Sequence, residues 1–143
     1  MFNRILVICT GNICRSPIAE GLLKAKLPGK TVLSAGTGAM IGDPADANSV
    51  EVSSAHGLDI SAHRAQQLTQ PMLQAADLVL TLDASHSAWI NARYPQYRGK
   101  VHKLGKWRQD EDVPDPYRAP KAMFEQVYQQ MDGHVNDWLA RLK

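Results

Sequence analysis

The amino-acid sequence predicts one α/β domain built around a doubly wound parallel sheet. The chain has 143 residues, a length that suits one compact domain with its own core. Short, nearly continuous apolar segments, typical of strands buried on both faces, alternate with segments of helical periodicity. No internal repeat, low-complexity segment or linker divides the chain. Because such strands pair in parallel through right-handed crossovers, we expect helices on both faces of the sheet.

The first strand and the first helix are predicted from the N-terminal part of the chain. Arg4–Cys9 is almost entirely apolar and rich in β-branched side chains, which favours a buried strand. Ser16 is predicted to be the N-cap of a helix, with Pro17 in the first helical position. Pro28 and Gly29 end that helix. Its buried face consists of apolar residues at helical spacing, namely Ile18, Ala19, Leu22 and Leu23.

The remaining elements continue this alternation. A final helix from Met123 to Leu142 is predicted because apolar residues recur there at helical spacing. Residues 105–119 have no periodicity, and loops of that length inside small domains are usually functional. Between these regions we predict strands at residues 31–35, 76–82 and 101–104, and helices at residues 46–56 and 84–94.

Composition narrows the class of protein. A net charge of +2 is too small to indicate binding to nucleic acid or to an anionic membrane. Two cysteines five positions apart do not form a secreted disulfide framework, and the first apolar run is too short for a signal peptide or a membrane span. The five histidines lack metal-ligand spacing and are expected at the surface or at helix ends. Asp83 and His86 are close in sequence, but nothing else indicates a site there. We therefore expect a cytoplasmic, monomeric protein without membrane insertion, metal or cofactor.

The segment from Cys9 to Ser16 follows the first predicted strand, at the sheet edge where doubly wound domains bind ligands. A turn from strand to helix directs backbone N–H groups and the positive end of the helix dipole at an anion. Gly11 and Asn12 tolerate a left-handed backbone, which lets the loop curl. Arg15 adds a planar cation that can bind two phosphate oxygens. In this phosphate loop (residues 9–16), the predicted phosphate-binding residues are Thr10, Gly11, Asn12, Ile13, Cys14 and Arg15.

Cys9 lies at the base of the phosphate loop. The positive field there favours its thiolate, which can attack phosphorus and form a phosphocysteine that water then hydrolyses. The Ser16 hydroxyl could donate a hydrogen bond to the sulfur. A buried core cysteine is the alternative, because the spacing of cysteine and arginine alone is a weak pattern. Cys14 could form a reversible disulfide with Cys9 or act as a small apolar filler, and the sequence leaves both roles open.

The octapeptide Cys9-Thr10-Gly11-Asn12-Ile13-Cys14-Arg15-Ser16 closely resembles the phosphate loop of the low-molecular-weight protein tyrosine phosphatases. The resemblance extends to Ser34-Ala35-Gly36, to residues 42–46 and to Asp115-Pro116-Tyr117, so it covers nearly the whole chain. It implies phosphotyrosine hydrolysis on a four-stranded parallel sheet flanked by helices, with the phosphate loop after the first strand.

A general acid is expected in the loop at residues 105–119. The resemblance selects Asp115 as the acid that protonates the leaving phenolate and as the base that later activates water. It also makes Tyr117 one wall of the substrate slot, with Met40 as an apolar neighbour. Ala39 stands where many relatives carry tryptophan, and Arg118 where many carry a second aromatic residue. Without the resemblance, the residues leave four carboxylates open as the acid, namely Asp110, Glu111, Asp112 and Asp115.

Three short segments resemble a bacterial branch of the family that is associated with exopolysaccharide or capsule production. This branch implies a partner that carries phosphotyrosine, an autophosphorylating tyrosine kinase of the polymer-export machinery. The segments are Arg98-Gly99-Lys100, Leu104-Gly105-Lys106-Trp107 and Asp115-Pro116-Tyr117-Arg118.

Three other functions are compatible with a similar phosphate loop. A thiol-dependent arsenate reductase of this fold passes a disulfide to a third cysteine downstream, but no cysteine follows Cys14. A cysteine phosphocarrier domain needs no general acid and little leaving-group pocket, so Asp115 and Tyr117 argue against it. A phosphotyrosine-binding module would need the phosphate loop but not Cys9.

Overall fold

The computed structural model describes residues 2–142. Its four strands form one parallel sheet in the order β2-β1-β3-β4. The bounds are β1 Arg4–Cys9, β2 Thr31–Gly36, β3 Leu78–Thr81 and β4 Val101–Lys103. β1 is an inner strand, with its Ile8 opposite Ala35 of β2 on one side and Thr81 of β3 on the other. The predicted four-stranded parallel sheet is confirmed.

The helices cover both faces of this sheet. α1, α2 and α5 pack on one face, and α3 and α4 pack on the other. No helix within residues 2–142 combines the length and the apolar composition that crossing a membrane requires. The bounds are α1 Arg15–Lys26, α2 Ala47–Ala55, α3 Gln70–Ala75, α4 Ala84–Arg93 and α5 Lys121–Leu142, with a 3-10 helix at Pro95–Lys100.

Alternate side chains of β1 belong to two different cores. Val7 packs in the core that contains Ile18 of α1 and Met131 of α5. Ile8 packs in the core that contains Ile90 of α4. Each of these five side chains is fully buried, and burial of one such side chain stabilises a protein by roughly 1.5–3 kcal/mol. β1 is therefore held from both faces, which fixes the position of the loop that follows it.

The ends of some elements differ from the prediction. α1 begins at Arg15 with Cys14 as its N-cap, so the prediction that Ser16 caps this helix is wrong. The Ser16 hydroxyl instead contacts the side chains of Cys9 and Asn12. β3 is shorter than predicted. Hydrophobic periodicity does not predict α3 or the 3-10 helix, because both are short and only one residue in the two is buried.

Candidate active site

The phosphate loop presents its backbone carbonyls outward. Each carbonyl oxygen from Cys9 to Cys14 accepts a hydrogen bond from a residue outside the loop, at 2.6 to 3.1 Å. Because the C=O and N–H of one trans peptide point in opposite directions, the outward carbonyls turn the loop N–H groups inward. Such convergent N–H groups beside a helix N-terminus bind anions. The donors, in order along the loop, are Thr37 N, Gly38 N, Met40 N, His63 Nε2, Asp46 N and Ser49 Oγ.

Asn12 holds the turn of the loop through its side chain. Its φ of 59° is left-handed, whereas Gly11, the other candidate for this conformation, does not have a positive φ. Asn12 Oδ1 accepts from Gln66 N at 2.9 Å. Asn12 Nδ2 donates to Ser16 Oγ at 2.7 Å and to Ser34 Oγ at 3.0 Å. Three hydrogen bonds, two of them to residues outside the phosphate loop, therefore stabilise the left-handed residue.

The same network orients Ser16 toward the sulfur of Cys9. Ser16 Oγ lies 2.8 Å from Cys9 Sγ. Ser16 Oγ accepts a hydrogen from Asn12 and still has its own hydroxyl hydrogen, which it can donate to a thiolate on Cys9. A donor in this position stabilises a thiolate more than a neutral thiol. The structure thus brings Ser16 to the place expected from the sequence, although its role stays a prediction.

Arg15 is the buried cation of the site, with 2% of its side chain exposed. Its Nη1 donates to Asp83 Oδ2 at 2.7 Å and to Val113 O at 2.8 Å. Its Nη2 lies 3.8 Å from Asp115 Oδ2. Burial alone would raise the pKa of Asp83, but hydrogen bonds from Ser85 and Arg15 hold that pKa at about 2. The charged carboxylate of Asp83 therefore binds one edge of the Arg15 guanidinium, and the remaining edge can bind an anion.

The predicted site residues line one cleft of about 160 Å³, except Asn12 and Ser16, which are fully buried behind it. Asp115 and Tyr117 are 51% and 42% exposed, and Asp115 Oδ1 accepts from Tyr117 N at 3.0 Å. Ala39 does not line the cleft, and the Arg118 guanidinium lies 5.3 Å from the centre of the Tyr117 ring. Among residues 2–142, no three His, Cys, Asp or Glu side chains are grouped to hold a metal ion. The lining residues are Cys9, Thr10, Gly11, Ile13, Cys14, Arg15, Gly38, Met40, Asp115 and Tyr117.

Cys9 and Cys14 are both buried free thiols. Burial, and then the nearby carboxylates of Asp46 and Asp115, raise the pKa of Cys14 well above its ordinary value. Cys14 is therefore a neutral thiol at pH 7. Because the thiolate is the reactive form of cysteine, Cys14 does not serve as the nucleophile at that pH. A disulfide between the two sulfurs stays a prediction.

Two residues at the start of α4 support the site, although no role is predicted for them from the sequence. Asp83, the N-cap of α4, holds Arg15, and His86 in the first turn contacts Thr10 of the phosphate loop. His86 is 1% exposed, and burial lowers its pKa to about 4. A signal was present in the sequence. Asp83 and His86 have the spacing of a helix cap and directly follow a buried strand, the edge where such sheets bind ligands.

Several hydrogen bonds attach the segment that carries Asp115 to the rest of the protein. Glu111 Oε1 accepts from Gln130 Nε2 at 2.9 Å and from His134 Nε2 at 2.7 Å, both on α5. The Val113 N–H donates at 2.8 Å to the carbonyl of the residue that follows β3. His134 is fully buried in the middle of α5, so the expectation that it lies at the surface or at a helix end is wrong. These contacts place Asp115 at the rim of the cleft.

Known proteins are similar to this chain in sequence and in fold. Residues 4–143 match the family described as low molecular weight phosphotyrosine protein phosphatase. The chain is 46% identical to the probable low molecular weight protein-tyrosine-phosphatase EpsP of Ralstonia nicotianae, over 100% of this chain and 98% of that protein. It is 43% identical to the low molecular weight protein-tyrosine-phosphatase Etp of Escherichia coli K12, over 99% of this chain and 95% of that protein. The crystal structure of the tyrosine phosphatase Wzb from Escherichia coli K30 in complex with sulphate has a TM-score of 0.97 and 40% identity, over 100% of both chains. The chain therefore belongs to the low molecular weight phosphotyrosine protein phosphatase family.

Proposed function

We propose that this phosphatase hydrolyses phosphotyrosine in proteins through a phosphocysteine on Cys9. The observation that carries the proposal is the outward direction of the carbonyls from Cys9 to Cys14, which turns the loop amides inward. Cys9 and Arg15 line the cleft that these amides face. A phosphate group held by the amides and by Arg15 would have its phosphorus beside the Cys9 sulfur, the geometry that in-line attack needs.

In the first step, the Cys9 thiolate attacks phosphorus and the bond from phosphorus to the phenolic oxygen breaks. The electron pair of that bond goes to the leaving oxygen, and Asp115 supplies the proton that makes it a neutral tyrosine. Arg15 and the loop amides bind the phosphoryl oxygens throughout, where charge accumulates in the transition state. The products of this step are the dephosphorylated tyrosine and phosphocysteine.

In the second step, water attacks the phosphocysteine. Asp115, now a carboxylate, takes a proton from the water, and the bond between sulfur and phosphorus breaks to release inorganic phosphate. The departing sulfur becomes a thiolate again, and the Ser16 hydroxyl at 2.8 Å is placed to stabilise it. The cycle returns Cys9, Ser16 and Asp115 to their starting protonation states.

The cleft favours an aryl phosphate over an alkyl phosphate. Met40 and Tyr117 line it and supply apolar surface beside the phosphate loop. An aromatic leaving group can pack against such surface while its phosphate is held. A small alkyl phosphate gains little from these side chains, so we expect a higher kcat/KM for the aryl substrate.

The activity is tested with p-nitrophenyl phosphate, phenyl phosphate, an alkyl phosphate and arsenate. Wild type is expected to hydrolyse the aryl phosphates with no added metal, and Cys9→Ser to abolish this activity. Asp115→Asn is expected to lower turnover of phenyl phosphate by about 10²–10⁴-fold, and to lower that of p-nitrophenyl phosphate less, because its leaving group needs less protonation. Asp110→Asn changes a carboxylate of the same loop that is 66% exposed, and serves as the matched control with unchanged kinetics.

The other functions predict different outcomes. Turnover that survives in Cys9→Ser would contradict the phosphocysteine mechanism. Reduction of arsenate without phosphatase activity would indicate a reductase, and a stable phosphocysteine that passes its phosphate to an acceptor would indicate a phosphocarrier. Binding of phosphotyrosine without turnover by wild type would indicate a binding module. Undiminished hydrolysis of phenyl phosphate by Asp115→Asn would remove only the assignment of the acid.

We also propose that the protein substrate is a bacterial tyrosine autokinase of exopolysaccharide export. The resemblance of residues 98–100, 104–107 and 115–118 to the phosphatases of that branch supports this assignment. Cys9→Ser keeps the phosphate loop but lacks the nucleophile, so it should capture a phosphorylated substrate from an extract of the producing bacterium. Capture is expected to be abolished by vanadate and to yield a tyrosine kinase that is itself phosphorylated on tyrosine. A captured set without such a kinase would contradict the assignment and leave the chemistry untouched.

A further inference from the structure

His86 lies in the first turn of α4 and contacts the phosphate loop. Its side chain is 1% exposed. Its Nε2 lies 2.9 Å from Thr10 Oγ1, and its Nδ1 lies 3.2 Å from the backbone nitrogen of Asp83. Both ring nitrogens therefore have a partner, and the two partners differ in kind.

These partners fix the tautomer of the ring. The Asp83 nitrogen carries a hydrogen and can only donate, so Nδ1 of His86 must offer a lone pair. The single ring hydrogen of a neutral histidine then lies on Nε2 and is donated to Thr10 Oγ1. Because the oxygen of Thr10 accepts this bond, its hydroxyl hydrogen is left for another acceptor. Thr10 is exposed and lines the cleft, so that acceptor can be a bound anion.

We propose that neutral His86 is a positioning residue of the phosphate loop, whose Nε2–H holds the Thr10 hydroxyl so that its hydrogen reaches an oxygen of the anion in the cleft. The inference rests on the proposed function, because it takes that anion to be the phosphate of the substrate. His86 also connects two parts of the site. It accepts the N–H of Asp83, whose carboxylate holds Arg15 at 2.7 Å, so one turn of α4 positions both the loop and the cation.

The charged groups that face His86 come from three elements. Asp83 Oδ1 is 3.5 Å from Nδ1 at the start of α4, and Arg15 belongs to α1. Asp112 and Asp115 face it from the loop before α5. Burial lowers the pKa of His86 to about 4; Arg15 acts in the same direction, and the carboxylates oppose it. The ring is therefore neutral at pH 7, as the tautomer requires, and only in acid would a hydrogen on Nδ1 break the bond from Asp83.

The test measures binding of inorganic phosphate, with no need for turnover. Thr10→Val and His86→Ala are each expected to raise the Kd of phosphate about tenfold, the size of one lost hydrogen bond to an anion. The double variant is expected to be no weaker than either single variant, because both remove the same interaction. His86→Gln retains a side-chain N–H donor and should recover part of the affinity. His56→Gln, which changes a histidine paired with Glu125 on the other face of the sheet, should bind phosphate like wild type.

Two results of these binding measurements would overturn the inference. The first is additive losses in the double variant, which would mean that Thr10 and His86 act independently. The second is wild-type phosphate binding by Thr10→Val, which would mean that the hydroxyl does not reach the anion. Thr10→Val and His86→Gln keep the test decisive if His86→Ala fails to fold.

The tautomer itself is read from the nitrogen chemical shifts of the wild-type protein. At pH 7, long-range proton–nitrogen correlation spectra should show His86 with a pyridine-type Nδ1 and a pyrrole-type Nε2. The reverse tautomer, or an imidazolium ring at that pH, would refute the positioning role. This measurement needs no catalysis. A protein that shows the expected tautomer and phosphate binding but hydrolyses no aryl phosphate would therefore refute the proposed function alone.

Discussion

Replacing Asp83 by asparagine removes the charge that holds Arg15 and keeps a side chain that can still cap α4. The carboxylate lies 2.7 Å from a guanidinium that is 2% exposed. A pKa of about 2 against the ordinary 3.8 corresponds to about 2 kcal/mol of differential interaction. The Asp83 side chain is 22% exposed, so solvent screening reduces this figure. We therefore expect Asp83→Asn to lose ~1–2 kcal/mol of unfolding free energy at pH 7.

The loss depends on pH in a defined direction. A carboxylate whose pKa is lowered in the folded protein contributes stability above its ordinary pKa, and that contribution disappears as the pH falls from about 4 to about 2. The stabilities of wild type and Asp83→Asn should therefore converge across that interval. The effect of Asp83→Asn on kcat/KM should be larger than its effect on stability, because displacing the Arg15 cation by about 1 Å can cost on the order of 10²-fold in rate.

Urea unfolding at several pH values and kcat/KM for p-nitrophenyl phosphate measure the two effects. The matched control is Asp137→Asn, which breaks another Arg–Asp pair, at 2.7 Å from Arg108, in a place where the arginine is 49% exposed. Such an exposed pair contributes less than about 1 kcal/mol, and this one lies outside the cleft, so its loss should not change the kinetics. An Asp83→Asn protein with wild-type stability and wild-type kcat/KM would show that Asp83 does not hold Arg15.

Three further changes test the surroundings of the loop. Ser16→Ala removes the hydroxyl that lies 2.8 Å from Cys9 Sγ. It should lower kcat/KM about 10–100-fold with little change in KM, because a hydrogen bond to a charged group is lost. An unchanged kcat would show that Ser16 does not donate to the sulfur. Gly36→Ala would place a Cβ against the Thr10 carbonyl oxygen of the phosphate loop, so both thermal stability and kcat/KM should fall. A fully active, equally stable variant would mean that the loop can move away without cost. Glu111→Gln weakens the attachment of the segment that carries Asp115, so turnover of phenyl phosphate should fall several-fold while that of p-nitrophenyl phosphate stays nearly constant. Equal effects on both substrates would show that Glu111 acts elsewhere.

The parts of this protein that follow from its sequence are those set by local pattern. β1 has the predicted bounds, Arg4–Cys9, because its apolar run is buried on both faces. The last helix has the predicted periodicity, because its apolar side chains all face the same core. Cys9 and Arg15 line the same cleft because a short turn joins the end of an inner strand to the start of a helix.

The roles of residues that support the site through tertiary contacts could not be predicted from local sequence patterns. Ser16 has the composition and position of an N-cap, but bonds to Cys9 and Asn12 outweigh the local preference. His86 carries no local mark of burial, and its partner Thr10 lies 76 positions earlier in the chain. The intrinsic preference of a residue reflects only its own segment of the chain. A tertiary contact can override that preference, and such contacts are known only once the fold is known.

The left-handed turn at Asn12 explains why the spacing of Cys9 and Arg15 alone is a weak indication of a phosphate loop. The same spacing becomes a specific indication when the surrounding fold supplies partners for Asn12. A non-glycine residue in that conformation costs on the order of 1–3 kcal/mol. The side chain of Asn12 makes hydrogen bonds to Gln66, Ser34 and Ser16, each of which contributes about 1 kcal/mol net, so together they offset the cost. Two of these partners lie on β2 and on the segment that follows Arg64, outside the octapeptide. The same eight residues placed after a strand without those partners would keep the cysteine and the arginine, but the turn that directs the loop amides inward would no longer be stabilised.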